Sequence, residues 1–397
     1  MGQTRTFALF DGVSNAAWDS VVIGAGPAGA MAARELALSG GRVLLVERKR
    51  FPRWKICGAC LNAHALACLR SAGLGSLVER HGGIRFDELQ VGFRNRQARL
   101  ALPEGASLSR SRLDAALVDA ATDAGAQFLA ETQANVGGIR NRLRLVRLVH
   151  RGISIEAEAR VVLVGAGLGN HCQTDSSAPT TQIRPGSRIG AGCLLDDAPG
   201  FYHERTVFMA VGCEGYVGTV RVEDGCLNVA AALDPALVRR HGTPAAAAVA
   251  IIREAGFPAI AGLEHAHWQG TASLTRHSQP LAQERLFLLG DAAGYVEPFT
   301  GEGIGWALAS AQAVAPLARR AMDGWDPQIA RDWSVLYRQL IGRRQRVCRA
   351  VALGLRRPWL AAIAFEVLSR LPASAGFVVR HVNAPSSLVN ASSACPS

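Results

Sequence analysis

Cys57 and Cys60 form a Cys-x-x-Cys pair, and a dithiol at that spacing could exchange electrons with a neighbouring redox group. Two glycine-rich blocks promise a different chemistry. The first, GAGPAGA, starts at Gly24 and contains Gly26, Pro27, Ala28 and Gly29. Gly24 permits a tight turn, Gly26 lets backbone approach a pyrophosphate, and Gly29 lets a helix lie close on a strand. The second runs from Gly290 and Asp291 through Pro298 to Gly301, Glu302, Gly303 and Ile304. An acid at the end of a strand can hold a ribityl hydroxyl, and the following helix N-terminus offers free N–H groups and a positive partial charge.

The elements that must position these residues are legible around them. Asp19 to Ile23 is a β-branched strand, Ala28 to Ser39 a helix, and Arg42 to Val46 a second strand ending at Glu47. A carboxylate a little beyond twenty residues after the first glycine can accept from both ribose hydroxyls, so the segment reads as an adenine-dinucleotide site. Leu286 to Leu289 is the strand that delivers Asp291, and a helix from Ile304 to about Ala318 follows.

RLFLLGDAAGYVEPFTGEGIGWALASA resembles the second FAD motif of the geranylgeranyl reductase family, within the para-hydroxybenzoate hydroxylase superfamily of flavin monooxygenases. Three further segments agree in order. GAGPAGAMAARELALSGGRVLLVER includes Glu47 and Arg48; WKICGACLNAHAL carries the family's Lys-x-x-Cys-Gly as Lys55, Cys57 and Gly58; SRSRLDAALVDAATDAGA places Arg110 at the start of a helix. The resemblance implies non-covalent FAD held by these residues, with Cys57 beside the ring. It implies an α/β (α+β) fold: a Rossmann-like FAD-binding domain, an inserted, mainly antiparallel β substrate domain and a C-terminal helical segment. The expected division is 17–83, 109–180 and 280–325 for FAD, 84–108 and 181–279 for substrate, and 326–397 as a helical cap.

Two departures qualify what the family implies. RVVLVGAGLG, from Arg160, has Gly167 where the superfamily usually has the Asp of an Ala-Asp-Gly turn. Its GAGLG could be a nicotinamide fingerprint, but no helix or acidic strand end follows, so NAD(P)H is expected only as a transient reductant, if it is the reductant at all. The family's Tyr-x-Trp-x-Phe-Pro pattern is also absent, Tyr216 being followed by Val217, Gly218, Thr219 and Val220. That argues against an isoprenoid substrate, and the missing Trp-x-Trp-x-Ile-Pro argues against halogenation.

Strand-like runs fill the inserted region: Ile84 to Phe93, Ala98 to Leu102, Gly190 to Leu195, Thr206 to Val211 and Tyr216 to Val222. The last pairs with Cys226 to Ala232 through a turn at Glu223, Asp224 and Gly225. Tyr216 is a catalytic candidate if strand alternation turns it toward the ring. His64, His203, His265, His267 and His277 offer no metal spacing; His265 and His267 would share one face of a strand.

The formal charge is +11, but Lys occurs only at Lys49 and Lys55, and no basic face interleaved with aromatics suggests nucleic acid. The nine cysteines form no disulfide framework and suit a reducing cytoplasm. No signal peptide or spanning segment is recognised.

These features lead to a FAD-dependent oxidoreductase acting on a hydrophobic, polyketide- or lipid-like small molecule, by monooxygenation or double-bond reduction. Two alternatives stay open: a dithiol oxidoreductase using Cys57 and Cys60, and a non-catalytic protein of FAD fold that binds prenylated ligands. The tail from Ala330 alternates basic and apolar residues at helical spacing, with Pro358 breaking it in two. It reads as a cap on the two domains, or as an interfacial element that meets anionic membrane through Arg343, Arg344 and Arg346.

Overall fold

A computed structural model describes Val13 and residues 17–169, 179–297, 299 and 301–370. Pro298 therefore lies outside the described residues. The chain opens with β1 (Ala17–Ile23), α1 (Pro27–Leu38) and β2 (Val43–Val46). β1 and β2 are almost continuously apolar because both faces of their sheet are covered. α1 is rich in Ala and Gly on the side it presents to β1, so helix and sheet approach closely.

After the helix Ala63–Ser71, the chain leaves this layer for β3 (Ile84–Phe93) and β4 (Arg96–Ser107). It returns through α2 (Arg110–Asp123) and β5 (Gln127–Leu129), then adds the antiparallel strands β6 (Thr132–Arg140), β7 (Leu143–His150) and β8 (Ile153–Val164). Ser109 caps α2 by accepting from the Arg112 N–H.

A second excursion supplies β9 (Ile189–Leu195), β10 (Thr206–Gly212), β11 (Gly215–Arg221), β12 (Leu227–Leu233) and the apolar helix α3 (Pro244–Glu254). β13 (Gln269–Ser273) closes this part, and β14 (Leu286–Leu288) rejoins the first sheet. The parallel core of that sheet runs β14-β8-β1-β2-β5. The second sheet runs β13-β9-β12-β11-β10-β3-β4 and ends on the short strand Cys60–Leu61. Its ladders are antiparallel except β3 with β10. This is the expected mixed architecture, with a Rossmann-like layer and an inserted antiparallel wall.

The long helix α4 (Gly303–Asp323) packs on α1. α5 (Pro327–Tyr337), a π-helical turn at Arg338–Gly342, α6 (Arg343–Leu355) and α7 (Pro358–Arg370) follow. Pro358 begins α7, where its missing N–H costs nothing, so the tail divides there as expected. Trp333 is fully buried and donates to the Leu288 carbonyl, and Tyr337 donates to the Gly294 carbonyl. These helices therefore cap the strand and loop that carry Asp291.

The strand expected to pair His265 with His267 is not formed. Gly262 takes a left-handed φ of +74° and starts a short 3-10 turn at Leu263–His265; β13 begins only at Gln269. The strand expected at Ala98 to Leu102 extends over Arg96–Ser107, because its far end also pairs with Ile84 and Cys60.

Candidate active site

The β1–α1 turn is built without slack. Gly24 has φ +99°, and a Cβ on it would lie 2.6 Å from the Gly165 carbonyl oxygen. A Cβ on Gly29 would lie only 1.8 Å from the Gly24 carbonyl oxygen. At Gly26 the nearest atom to such a Cβ is Nη2 of Arg110, 3.3 Å away. Gly26 caps α1 without side-chain help, and Pro27 follows at the first helical position. The helix thus presents its N-terminus to a space that the Arg110 guanidinium also borders.

Sequence reading missed what holds Arg110. Asp114, one turn later, is fully buried and accepts from Nε and Nη2 of Arg110, both at 2.8 Å. It also accepts from Arg53 at 2.6 Å, and Arg53 in turn donates to Glu47 at 2.8 Å. Glu47 accepts from the backbone N–H groups of Ala25 and Lys49 as well. Burial opposes its charge, but Arg53 and these N–H groups outweigh burial and hold the Glu47 carboxyl below its usual range. The spacing of Arg110 to Asp114 was a visible signal; the partnership with Arg53 crosses 61 residues and was not.

A cavity of about 620 Å³ runs from Gly26, Pro27, Ala28 and Arg110 past Lys55, Cys57, Gly58 and Asp291 to Gly301, Gly303 and Ile304. Among the described residues no protein group hydrogen-bonds Asp291. Burial raises its carboxyl while Lys55, Arg110 and Arg276 pull the other way. Gly167 explains its own departure from the superfamily pattern: with φ +70°, it leaves room for the Lys55 ammonium, 2.6 Å from where a Cβ would sit. Gly290 is held at φ +58°, and a Cβ there would lie 2.8 Å from Cβ of Ala28, so the two glycine blocks meet.

Glu302 and Arg48 stand apart from this cavity. Glu302 is fully buried, accepts from the Trp306 indole at 2.8 Å and lies 3.9 Å from Arg344. Arg48 is exposed, immediately after the buried Glu47. The Arg343, Arg344 and Arg346 trio is accordingly not one basic face, since Arg344 turns inward to Glu302.

The cavity fits FAD. A helix N-terminus and a fixed guanidinium face the pyrophosphate position, Glu47 stands at the strand end suited to a ribose, and the Asp291 carboxylate opens onto the space without a protein partner.

The profile of the FAD binding domain family matches residues 17–147. Menaquinone reductase of Mycobacterium tuberculosis is 28% identical over 400 residues, covering 91% of this chain and 90% of its own. Digeranylgeranylglycerophospholipid reductase of Methanosphaerula palustris is 26% identical over 327 residues, covering 76% of each chain. Over most of its length the chain is similar to these two reductases, in line with its resemblance to the geranylgeranyl reductase family. It is a FAD-dependent oxidoreductase. A solved flavoprotein/dehydrogenase from Cytophaga hutchinsonii superposes with a TM-score of 0.77 at 19% identity, covering 93% of both chains, so the fold extends to distant flavoproteins.

Away from the two glycine blocks the cavity is lined by the second sheet and by the C-terminal helices. Phe86, Leu89, Val91, Phe93, Met209 and Phe365 are among its walls. Tyr216 lines it too, packing edge-on against Phe299 at 5.2 Å. Burial pushes the Tyr216 phenol well up, so it is a hydrogen-bond donor at neutral pH.

Cys57 and Cys60 are both free thiols. Cys57 lines the cavity, and its carbonyl accepts from Asn228 at 2.9 Å. The Cys60 thiol donates to the Gly58 carbonyl at 3.1 Å, and burial pushes it far above the usual thiol range. A thiol held protonated is a poor nucleophile for dithiol exchange. Cys60→Ser is expected to keep full FAD and turnover, because a hydroxyl can make the same bond, with a stability change below about 1 kcal/mol. FAD absorbance and a denaturant melt check this; loss of turnover with FAD retained would restore the dithiol mechanism.

Proposed function

We propose that this enzyme reduces a carbon–carbon double bond in a hydrophobic, lipid-like molecule. The observation that carries the reading is the apolar wall of Phe86, Leu89, Val91, Phe93, Met209 and Phe365, continuous with the space beside Cys57 and Gly301. Such a wall binds a greasy chain by removing it from water, roughly 25 cal/mol per Å² of apolar surface buried. The named activities of the two relatives, menaquinone reductase and digeranylgeranylglycerophospholipid reductase, support a hydrophobic substrate of that kind. They outweigh the missing Tyr-x-Trp-x-Phe-Pro pattern as a guide to substrate class.

When bound, FAD supplies the two-electron chemistry. The chain's own groups divide the remaining work. Arg110, fixed by Asp114, binds pyrophosphate; Glu47 and Asp291 hold ribose and ribityl hydroxyls; Cys57 and Tyr216 border the reacting space; the helical cap excludes water from it. NAD(P)H visiting transiently, or another donor, supplies the electrons, and the free thiols suit a cytoplasmic setting in lipid or secondary metabolism.

The test is anaerobic reduction followed by a polyprenyl substrate, with mass spectrometry of the product. Gain of two hydrogens supports the reductase. Gain of one oxygen atom after air is admitted would make the enzyme a monooxygenase instead.

Substrate delivery follows from the cap. No helix among the described residues is long and apolar enough to cross a membrane. α7 nevertheless turns Phe365 to the cavity while Trp359 and Ile363 are 59% and 55% exposed on its outer side. Exposed Arg343 and Arg346 lie on the preceding helix. This combination suits the surface of an anionic bilayer. Vesicle co-sedimentation is expected to rise with anionic lipid, fall with salt and drop when Trp359 and Ile363 are both changed to serine. A chain that ignores vesicles but loses FAD when 326–397 is deleted would leave α5–α7 as a cap alone.

A further inference from the structure

One buried arginine outside the flavin-binding residues organises a polar spot in the otherwise apolar part of the cavity. Arg188 is completely buried. Its Nη1 lies 3.1 Å from Oε1 of Glu297, its Nε lies 3.4 Å from Asp234, and Nη2 donates to the Cys213 carbonyl at 3.1 Å. The same guanidinium lies over the Tyr216 ring, 5.6 Å from its centroid. Asp234 is further held by Arg356 of the cap at 3.0 Å. Arg188 is thus committed to protein partners and does not line the cavity, whereas the two groups it holds, Glu297 and Tyr216, both do.

Glu297 is 3% exposed, and its Oε2 is buried without a hydrogen-bond partner. An oxygen left in that state costs about 1–3 kcal/mol unless something satisfies it.

We propose that Glu297 and Tyr216, positioned together by Arg188, form a two-donor site for a neutral oxygen of the hydrophobic substrate, a ketone, quinone or alcohol oxygen rather than an anionic headgroup. This rests on the reading of the cavity as the substrate site. Oε1 already accepts from Arg188 while no donor is directed at Oε2, so a proton carried on Oε2 has no protein acceptor and is free to be donated; burial, which raises the carboxyl above its usual range against the pull of Arg188 and Arg356, acts in the same direction. A phosphate in the cavity would gain little from Arg188, which does not line it: Nη1 and Nη2 donate to Glu297 and to the Cys213 carbonyl, and the buried Nε, though 3.4 Å from Asp234, makes no hydrogen bond. It would also meet a carboxyl that repels it once ionised. A carbonyl oxygen accepts from both donors and leaves the apolar chain on the wall of Phe93, Met209 and Phe365.

The test measures binding, not turnover. Oxidised, FAD-loaded protein is titrated with decyl methyl ketone, dodecane and dodecyl phosphate, with flavin fluorescence as the readout. The ketone is expected to bind about tenfold tighter than the alkane, and the phosphate no better than the alkane. Glu297→Ala and Tyr216→Phe each reduce ketone affinity about fivefold while leaving the alkane unchanged. Glu297→Gln, which keeps an oxygen for Arg188 and offers an amide N–H, restores the preference. Tyr216→Phe keeps the ring beneath Arg188 and decides the matter by itself if Glu297→Ala fails to fold. Equal affinity for ketone and alkane, tightest binding by the phosphate, or unaltered ratios in both variants would overturn the site. A ketone preference that vanishes in the variants of a chain giving no saturated product supports the site and overturns only the reductase reading.

Discussion

Asp114→Ala is expected to yield a protein that purifies without FAD and is less stable by about 3–5 kcal/mol, the usual cost of removing one member of a buried ion pair. Asp114 is fully buried, and two guanidinium groups converge on it. Arg53 keeps Glu47 as a partner after the substitution, but Arg110, itself only 7% exposed, loses the carboxylate that fixes its plane. Positive charge is left in a space of low dielectric, and the group facing the pyrophosphate is no longer preorganised. Excess FAD restores part of the stability, because its phosphates return negative charge to Arg110 and ligand binding favours the folded state. A denaturant midpoint measured with and without FAD separates the two effects. Full retention of FAD by the variant would show that Arg110 is not positioned through Asp114.

The sequence made the FAD half readable for a local reason. Strand, glycine turn and helix lie within one short stretch at each block, and the residue types at Gly24, Gly26, Gly29 and Asp291 are tied to that geometry. The substrate wall was readable in outline because strands such as Thr206–Gly212 and Gly215–Arg221 keep their β-rich character. Its phase was not readable. Tyr216 packs toward the cavity while Val217 joins the separate core beneath α3, and alternation alone gives both faces the same pattern when both are covered. The polar centres escaped for another reason. Arg53 with Asp114 and Arg188 with Glu297 join residues 61 and 109 apart, and nothing local marks such pairs. In the tail, helical periodicity and Pro358 were correctly legible, but arginine spacing could not tell that Arg344 faces Glu302 while Arg343 and Arg346 face outward. That distinction comes from how α6 sits on α4.

Two alanine substitutions three positions apart in the first turn should fail in opposite ways. Gly29→Ala places a methyl 1.8 Å from the Gly24 carbonyl oxygen and 3.0 Å from its carbon. Both are backbone atoms, and Gly24 has little room to retreat, because even a Cβ built on it would lie 2.6 Å from the carbonyl oxygen of Gly165, just past the neighbouring strand. α1 must lift from β1, opening the core around Val22 and Met31, at a cost above the roughly 1–3 kcal/mol of ordinary overpacking. This variant is expected to be insoluble or to melt without a cooperative transition. Gly26→Ala meets only the end of a flexible side chain, Nη2 of Arg110 at 3.3 Å, and Gly26 does not have a positive φ. The fold should survive within about 1 kcal/mol, since a side-chain tip moves cheaply. FAD should be lost all the same, because the methyl occupies the surface where pyrophosphate must approach backbone and displaces the guanidinium that meets it. Circular dichroism melts and FAD absorbance of the two proteins check this directly. A folded Gly26→Ala protein that keeps its full flavin would mean that the pyrophosphate does not lie against Gly26, and a well-folded Gly29→Ala protein would contradict the close helix–strand contact itself.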